Sequence, residues 1–200
     1  MTDAPPWAAA AEVLADDVTT DASAWHDAVC NTPRHRLVPR WWQRIPSSPA
    51  QEWERVDLPE DSPERLRATY ADDTLATRVG PTHADHAAPG EHGKADPTSS
   101  STLPGLIVSM AHRLDVRPGR RVLDVGTGSG CSAALLARRF GDENVTSVDV
   151  DPYLAEAART RLGQVRAHPA RGSPRRDRLP SRSGVPRSWR RGGRRTTRRS

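Results

Sequence analysis

The sequence predicts an α/β chain: the opening half of a doubly wound parallel sheet, preceded by a small helical N-terminal lobe and followed by a disordered basic tail. Three observations carry that expectation. Residues 98–162 alternate helix-type and strand-type apolar patterns in the order helix, then βαβα. A glycine loop, Gly126-Thr-Gly-Ser-Gly130, joins the first of these strands to its helix. Charge divides the chain: residues 163–200 hold 13 of the 30 basic residues and one acid, Asp177, for a net +12, which leaves −7 on residues 1–162. The overall +5 is a sum of opposites, and a uniformly basic nucleic-acid-binding domain is excluded.

The lobe is expected over residues 1–79. An Ala-rich helix spans 8–17, and a second follows the capping candidates Thr20 and Asp21, with Ala24, Trp25, Ala28 and Val29 at helical spacing. Pro33 closes it, and Arg34-His-Arg-Leu-Val-Pro39 is expected to be extended. Trp41, Trp42 and Trp53 lie among prolines and polar residues. They either plug the lobe onto a larger domain or form an aromatic surface facing a substrate.

Residues 80–98 have the composition of a loop insertion, rich in Gly and Pro and poor in apolar side chains. His83-Ala-Asp-His86 and His92 fall within it. No periodic element holds those imidazoles and no fourth ligand is evident, so no metal site is expected. Two cysteines, Cys30 and Cys131, make neither a disulfide framework nor a zinc site. The N-terminus lacks the basic start and apolar stretch of a signal peptide, and no apolar run approaches bilayer length. A cytoplasmic protein is the expectation.

The first half of the sheet domain occupies 99–162. Ser99 to Thr102 form a hydroxyl cluster, and Pro104 suits a first helical turn whose apolar face is Leu106, Ile107, Met110, Ala111 and Leu114. Arg121-Val-Leu-Asp-Val125 is a strand, Ser132 to Phe140 a helix, Val145-Thr-Ser-Val-Asp149 a second strand and Pro152 to Leu162 a second helix. Gly126 and Gly128 let the backbone turn tightly beside a ligand, and the helix that follows presents free N–H groups. Asp149 ends the second strand, 25 residues after Asp124, where a carboxylate can accept both hydroxyls of a ribose.

Spacing then separates two cofactors. A dinucleotide fingerprint calls for Gly-x-Gly-x-x-Gly or Ala, and Cys131 stands where the third small residue belongs. The loop instead reads Gly-x-Gly-x-Gly with an acid, Asp124, two residues ahead. It resembles the first motif of the S-adenosylmethionine-dependent methyltransferases, with a nicotinamide enzyme as the weaker alternative.

A narrower resemblance covers roughly residues 20–162. Thr32-Pro-Arg-His-Arg-Leu-Val-Pro39, Tyr70-Ala-Asp-Asp-Thr-Leu75 and Ser101-Thr-Leu-Pro104, the last ending 18 residues before Val122, are similar to blocks of the protein-L-isoaspartate O-methyltransferases. The resemblance implies an incomplete Rossmann-like methyltransferase domain with S-adenosylmethionine as methyl-donating co-substrate. It places Asp124, Gly126, Gly128, Gly130 and Asp149 on the cofactor. Thr102, at the position of the family's substrate-touching serine, and its neighbour Ser101 fall on the substrate carboxylate. Thr102 has a plainer role open to it, as helix N-cap before Leu103-Pro104. The Trp-rich stretch, the 80–98 loop and the Ser99–Thr102 run depart from the pattern. They resemble the branch of the family found beside ribosomally made, modified peptides, so the implied partner is a protein or peptide bearing an isoaspartate or aspartate carboxylate.

After Leu162 a third strand, a helix and a fourth strand are due. Residues 163–200 show neither period. They read as an out-of-frame continuation of the gene, or as an arm that binds nucleic acid non-specifically through its arginines. The chain is therefore expected to be a truncated, inactive carboxyl methyltransferase. The alternative is a basic-tailed nucleic-acid-binding protein that uses the α/β piece as a scaffold.

Overall fold

A computed structural model describes residues 5–20, 23–48, 52–60, 62–114, 116–117, 119–165 and 170–171. The N-terminal part opens with α1 (Ala8–Val18), α2 (Ala24–Cys30) and the short α3 (Arg34–Leu37). β1 (Trp42–Arg44), β2 (Trp53–Arg55), α4 (Pro63–Thr69), β3 (Leu75–Val79), β4 (Thr82–His83), β5 (His92–Gly93) and β6 (Pro97–Ser101) follow. Helix starts are fixed locally. Ser23 Oγ accepts the His26 N–H at 3.2 Å, and Ser62 Oγ accepts the Arg65 N–H at the same distance ahead of Pro63. The expected helices of the lobe are present, with Ser23 as the cap of the second in place of Thr20; Asp21 lies outside the described residues.

The lobe also carries a sheet that the sequence did not announce. β1 to β6 form six antiparallel strands in the order β4-β3-β1-β2-β5, with β6 pairing along β3 from Leu75↔Ser101 to Val79↔Pro97. Strands of two to five residues are too short to display a period. Two expectations need correction. Arg34 to Leu37 is a helical turn rather than an extended stretch, because Pro33 starts it and Arg34 and His35 are buried on its inner side. The 80–98 segment is not all loop: β4, β5 and the start of β6 are stitched to the lobe through β3 and β2. Trp41 and Trp42 are buried, as plugs are, while Trp53 is half-buried against a small cluster of Trp42, Ala76, Val79, Ala84 and Ala87.

The second layer follows the predicted order. α5 (Pro104–Arg113), β7 (Val122–Val125), α6 (Cys131–Phe140), β8 (Val145–Val148) and α7 (Pro152–Gln164) lead to a two-residue strand, β9 (Ala170–Arg171). β7, β8 and β9 are parallel neighbours in that order. β9 corrects the expectation that no third strand follows Leu162. It is two residues long within an arginine- and proline-rich context, and α7 runs two residues further than the apolar pattern. The rest of the predicted tail, from residue 172, lies outside the described residues. One core joins both layers, with Leu14, Trp25, Leu37, Val108, Leu135 and Val145 among its buried members. No helix among the described residues is long and apolar enough to cross a membrane.

Candidate functional site

A cavity of 310 Å³ opens between α5, the C-terminal end of β7 and the start of α6. Its lining includes Ser101, Thr102, Asp124 and Gly126, four of the residues expected to work together. Their placement follows from a relay of hydrogen bonds. Arg34 on α3 donates from Nη1 to the carbonyls of Thr69 and Ala71, both at 2.9 Å, and from Nη2 to that of Asp73 at 2.7 Å. The turn so held carries Asp72 and Thr74. Asp72 Oδ1 accepts the Gly105 N–H at 2.7 Å and Thr74 Oγ1 accepts the Leu103 N–H at 3.3 Å, satisfying the open start of α5 from outside the helix. His35 Nδ1 meets the Tyr70 hydroxyl at 2.8 Å within the same core. Burial pushes the Tyr70 phenol far above its ordinary range.

The N-cap of α5 is Leu103, with no side-chain capping bond. Thr102 is therefore not spent on capping, and it stands half-buried at the cavity wall. Ser101, at the end of β6, is 2% exposed and its Oγ has no hydrogen-bond partner among the described residues. An orphaned buried hydroxyl at a cavity wall fits a site that takes a polar ligand.

Gly126, Gly128 and Gly130 all have positive φ, at 95°, 52° and 88°. The Gly126 and Thr127 N–H groups donate to the Val148 carbonyl at 2.8 and 3.1 Å, tying the loop to the end of β8. A Cβ at Gly126 would meet nothing within 4 Å, so the space beside it is open to a ligand. At Gly130 the reason for glycine is packing: a Cβ would lie 3.3 Å from Leu162 Cγ and 3.4 Å from Ala158 Cβ on α7. Gly130→Ala combines left-handed strain with that crowding and should lower the unfolding free energy by about 2 kcal/mol. Chemical denaturation measures this, and a loss under about 0.5 kcal/mol would fall within ordinary surface effects and refute it.

Asp124 is already engaged. Its Oδ2 accepts the Ser147 hydroxyl at 2.7 Å and the Ser132 hydroxyl at 3.3 Å. Burial raises this carboxyl above its ordinary range; the two hydroxyls act against the rise and the Asp149 charge adds to it. Asp149, Gly128 and Gly130 do not line the cavity. Asp149 instead braces the loop from behind: Oδ2 accepts the Gly128 N–H and Oδ1 the Asp151 N–H, both at 2.9 Å. A carboxylate offers about four acceptor positions, so the ribose role stays chemically open to it.

The His83-Ala-Asp-His86 segment proves to be a joint. Among the described residues no group of three or more His, Cys, Asp or Glu could hold a metal ion. Asp85 Oδ2 accepts the Tyr153 hydroxyl at 2.7 Å and pairs with Arg161, while His83 packs edge-on against the Tyr153 ring. Burial opposes ionisation of Asp85, but Arg161, the Tyr153 hydroxyl and His83 more than offset it and the carboxyl lies below its ordinary range. Burial lowers His83. Sequence inspection found neither this joint nor the Arg34–Asp72–Thr74 relay, because their partners lie tens of residues away.

A parallel sheet with a glycine loop at the C-terminal end of its first strand, and an acid ending the second, defines a Rossmann-like fold of the methyltransferase kind. Comparison with known proteins narrows it. Residues 84–172 match the model of the family described as protein-L-isoaspartate(D-aspartate) O-methyltransferase. The chain is 44% identical over 62 residues to protein-L-isoaspartate O-methyltransferase 2 of Rhodopseudomonas palustris, covering 31% of this chain and 28% of that protein. It is 39% identical over 84 residues to the protein-L-isoaspartate O-methyltransferase of Aeropyrum pernix, covering 42% and 30%. Ribosomal protein L11 methyltransferase of Burkholderia thailandensis is 48% identical over 59 residues, 30% of this chain and 19% of that protein. A solved protein-L-isoaspartate O-methyltransferase superposes with a TM-score of 0.53 at 18% identity, covering 83% of this chain and 41% of the other, a likeness of fold. The matched stretches thus span less than a third of these sequence relatives' own lengths.

Proposed function

We propose that this fold serves S-adenosylmethionine-dependent methylation of a side-chain carboxylate, isoaspartate or aspartate, in a protein or peptide of the cytoplasm. The observation that carries the reading is the 310 Å³ cavity, where the unpartnered Ser101 hydroxyl and Thr102 face the Asp124 end of β7 and the glycine loop. Asp124 and Gly126, which line the cavity, would hold the cofactor there, with Gly128 and Gly130 shaping the loop beside it and Asp149, outside the cavity lining, taking the ribose. When bound, S-adenosylmethionine supplies a methyl group activated by its sulfonium.

The chain's own task is positioning. A carboxyl group with a pKa of about 4 is already an ionised nucleophile at neutral pH, so no general base is required. Thr102, with Ser101 beside it, would donate a hydroxyl hydrogen bond to one carboxylate oxygen and leave the other free as the nucleophile toward the methyl group that the cofactor would supply. Apolar neighbours in the cavity, Ile107, Ala111 and Leu136 among them, exclude water from that line.

The same proposal includes the composition break. Arginine-rich sequence takes over where a further helix and strand are due, and the family match ends at residue 172. An out-of-frame continuation from about that point accounts for both, and translating the gene's other two frames there should show methyltransferase strands. Polypeptide 1–200 is then expected to transfer no methyl group, and the frame-restored chain to methylate an isoaspartyl peptide or a modified precursor peptide. Methylation of neither peptide overturns the carboxylate reading, and micromolar S-adenosylmethionine binding by residues 1–200 in calorimetry overturns the inactivity. In the restored chain Asp149→Ala should weaken S-adenosylmethionine by roughly 1.5–3 kcal/mol through loss of a charge-assisted bond. Unchanged affinity removes Asp149 from the site. The comparisons lend no support to the nucleic-acid-binding alternative.

A further inference from the structure

We infer that Asp85, in the His-Ala-Asp-His segment of the lobe, is a positioning residue for the glycine loop and holds it through α7. The inference rests on reading that loop as the cofactor site. Tyr153 and Arg161 are eight residues apart, two turns along one face of α7, and both converge on the single carboxylate of Asp85. That carboxylate is 9% exposed, and it is held in turn by His83, whose Nδ1 accepts the Asp85 N–H at 3.2 Å. A second anchor reaches the same helix from β3, where Arg78 pairs with Asp151 Oδ2 at 3.2 Å.

From α7 the path to the loop is continuous. Asp151 Oδ1 caps the helix by accepting the Tyr153 N–H at 2.9 Å, so the anchored residue and the cap share one turn. The Asp151 N–H donates to Asp149 Oδ1, and Asp149 Oδ2 accepts the Gly128 N–H. Leu162 and Ala158, on the same helix, close on Gly130. Rotation or sliding of α7 therefore moves both the middle and the end of the glycine loop. Asp85 fixes the angle of α7 at two points, and the loop's conformation follows.

Residue-resolved amide hydrogen exchange on the full chain tests this without any ligand. Asp85→Asn should speed exchange of the Gly128 N–H at least tenfold while the Leu14 amide, on α1, keeps its protection. Tyr153→Phe, which removes one hydroxyl and little else, should shift Gly128 in the same direction. Faster exchange confined to α7 with Gly128 unchanged, or equal acceleration at Leu14 and Gly128 in both variants, overturns the inference. Failure of the frame-restored chain to bind S-adenosylmethionine, with Gly128 still responding to Asp85→Asn, counts against the cofactor reading and leaves the positioning role standing.

Discussion

Arg34→Leu is expected to lower the unfolding free energy by about 3 kcal/mol or more, among the largest losses available to a single side chain outside the apolar core. Arg34 is 2% exposed, and its guanidinium donates to three main-chain carbonyls of one turn. Leucine fills part of the volume but removes all three donated bonds, and the buried Thr69 carbonyl is left without its donor while those of Ala71 and Asp73 lose the link that holds the turn. The damage should also travel. The same turn presents Asp72 and Thr74 to the first N–H groups of α5, and α5 follows directly on Ser101 and Thr102. Arg34→Lys keeps the charge but offers a single point of donation, so it should recover only part of the loss. Urea denaturation of the two variants measures both effects. A loss under about 1 kcal/mol for Arg34→Leu would show that the turn holds its shape without the guanidinium.

What could be read from the sequence, and what could not, divides by distance along the chain. α5, α6, α7, β7 and β8 appear within about two residues of expectation because each carries a full apolar period and is bounded by Pro or Gly. The loop from Gly126 to Gly130 is equally plain, since its turns depend on closely spaced glycines with positive φ. β1 and β2, at three residues each, and β9, at two, are shorter than any test of alternation. They exist because partners from elsewhere present matching backbone edges. His83-Ala-Asp-His86 drew attention for its imidazoles, yet what decides its role is Tyr153 and Arg161, 68 and 76 residues from Asp85. Thr102 shows the same limit in a milder form. Capping was a sound expectation for a hydroxyl just ahead of a helix, and only Asp72, 33 residues from Gly105, shows that the helix start is satisfied otherwise.

Polypeptide 1–200 should self-associate, and charge on β7 should stop it. Among the described residues β7 pairs with β8 alone, so its other edge presents a row of N–H and C=O groups without a strand beside them. The side chains there are those of a covered strand: Leu123 and Val125 are 62% and 76% exposed. Leu106, Met110 and Leu114 on α5 are also exposed, and Met110 and Leu114 line the same cavity as β7. Parallel strands of this composition are normally buried on both faces, and an apolar free edge is a template for another chain. Leu123→Lys with Val125→Lys replaces two side chains that contribute little burial, so stability should change by less than about 1 kcal/mol while the edge becomes charged and self-repelling. Sedimentation velocity should show the parent polypeptide growing into larger species as concentration rises and the double variant remaining a monomer. A parent that stays monomeric across the range would mean that the β7 edge is already covered.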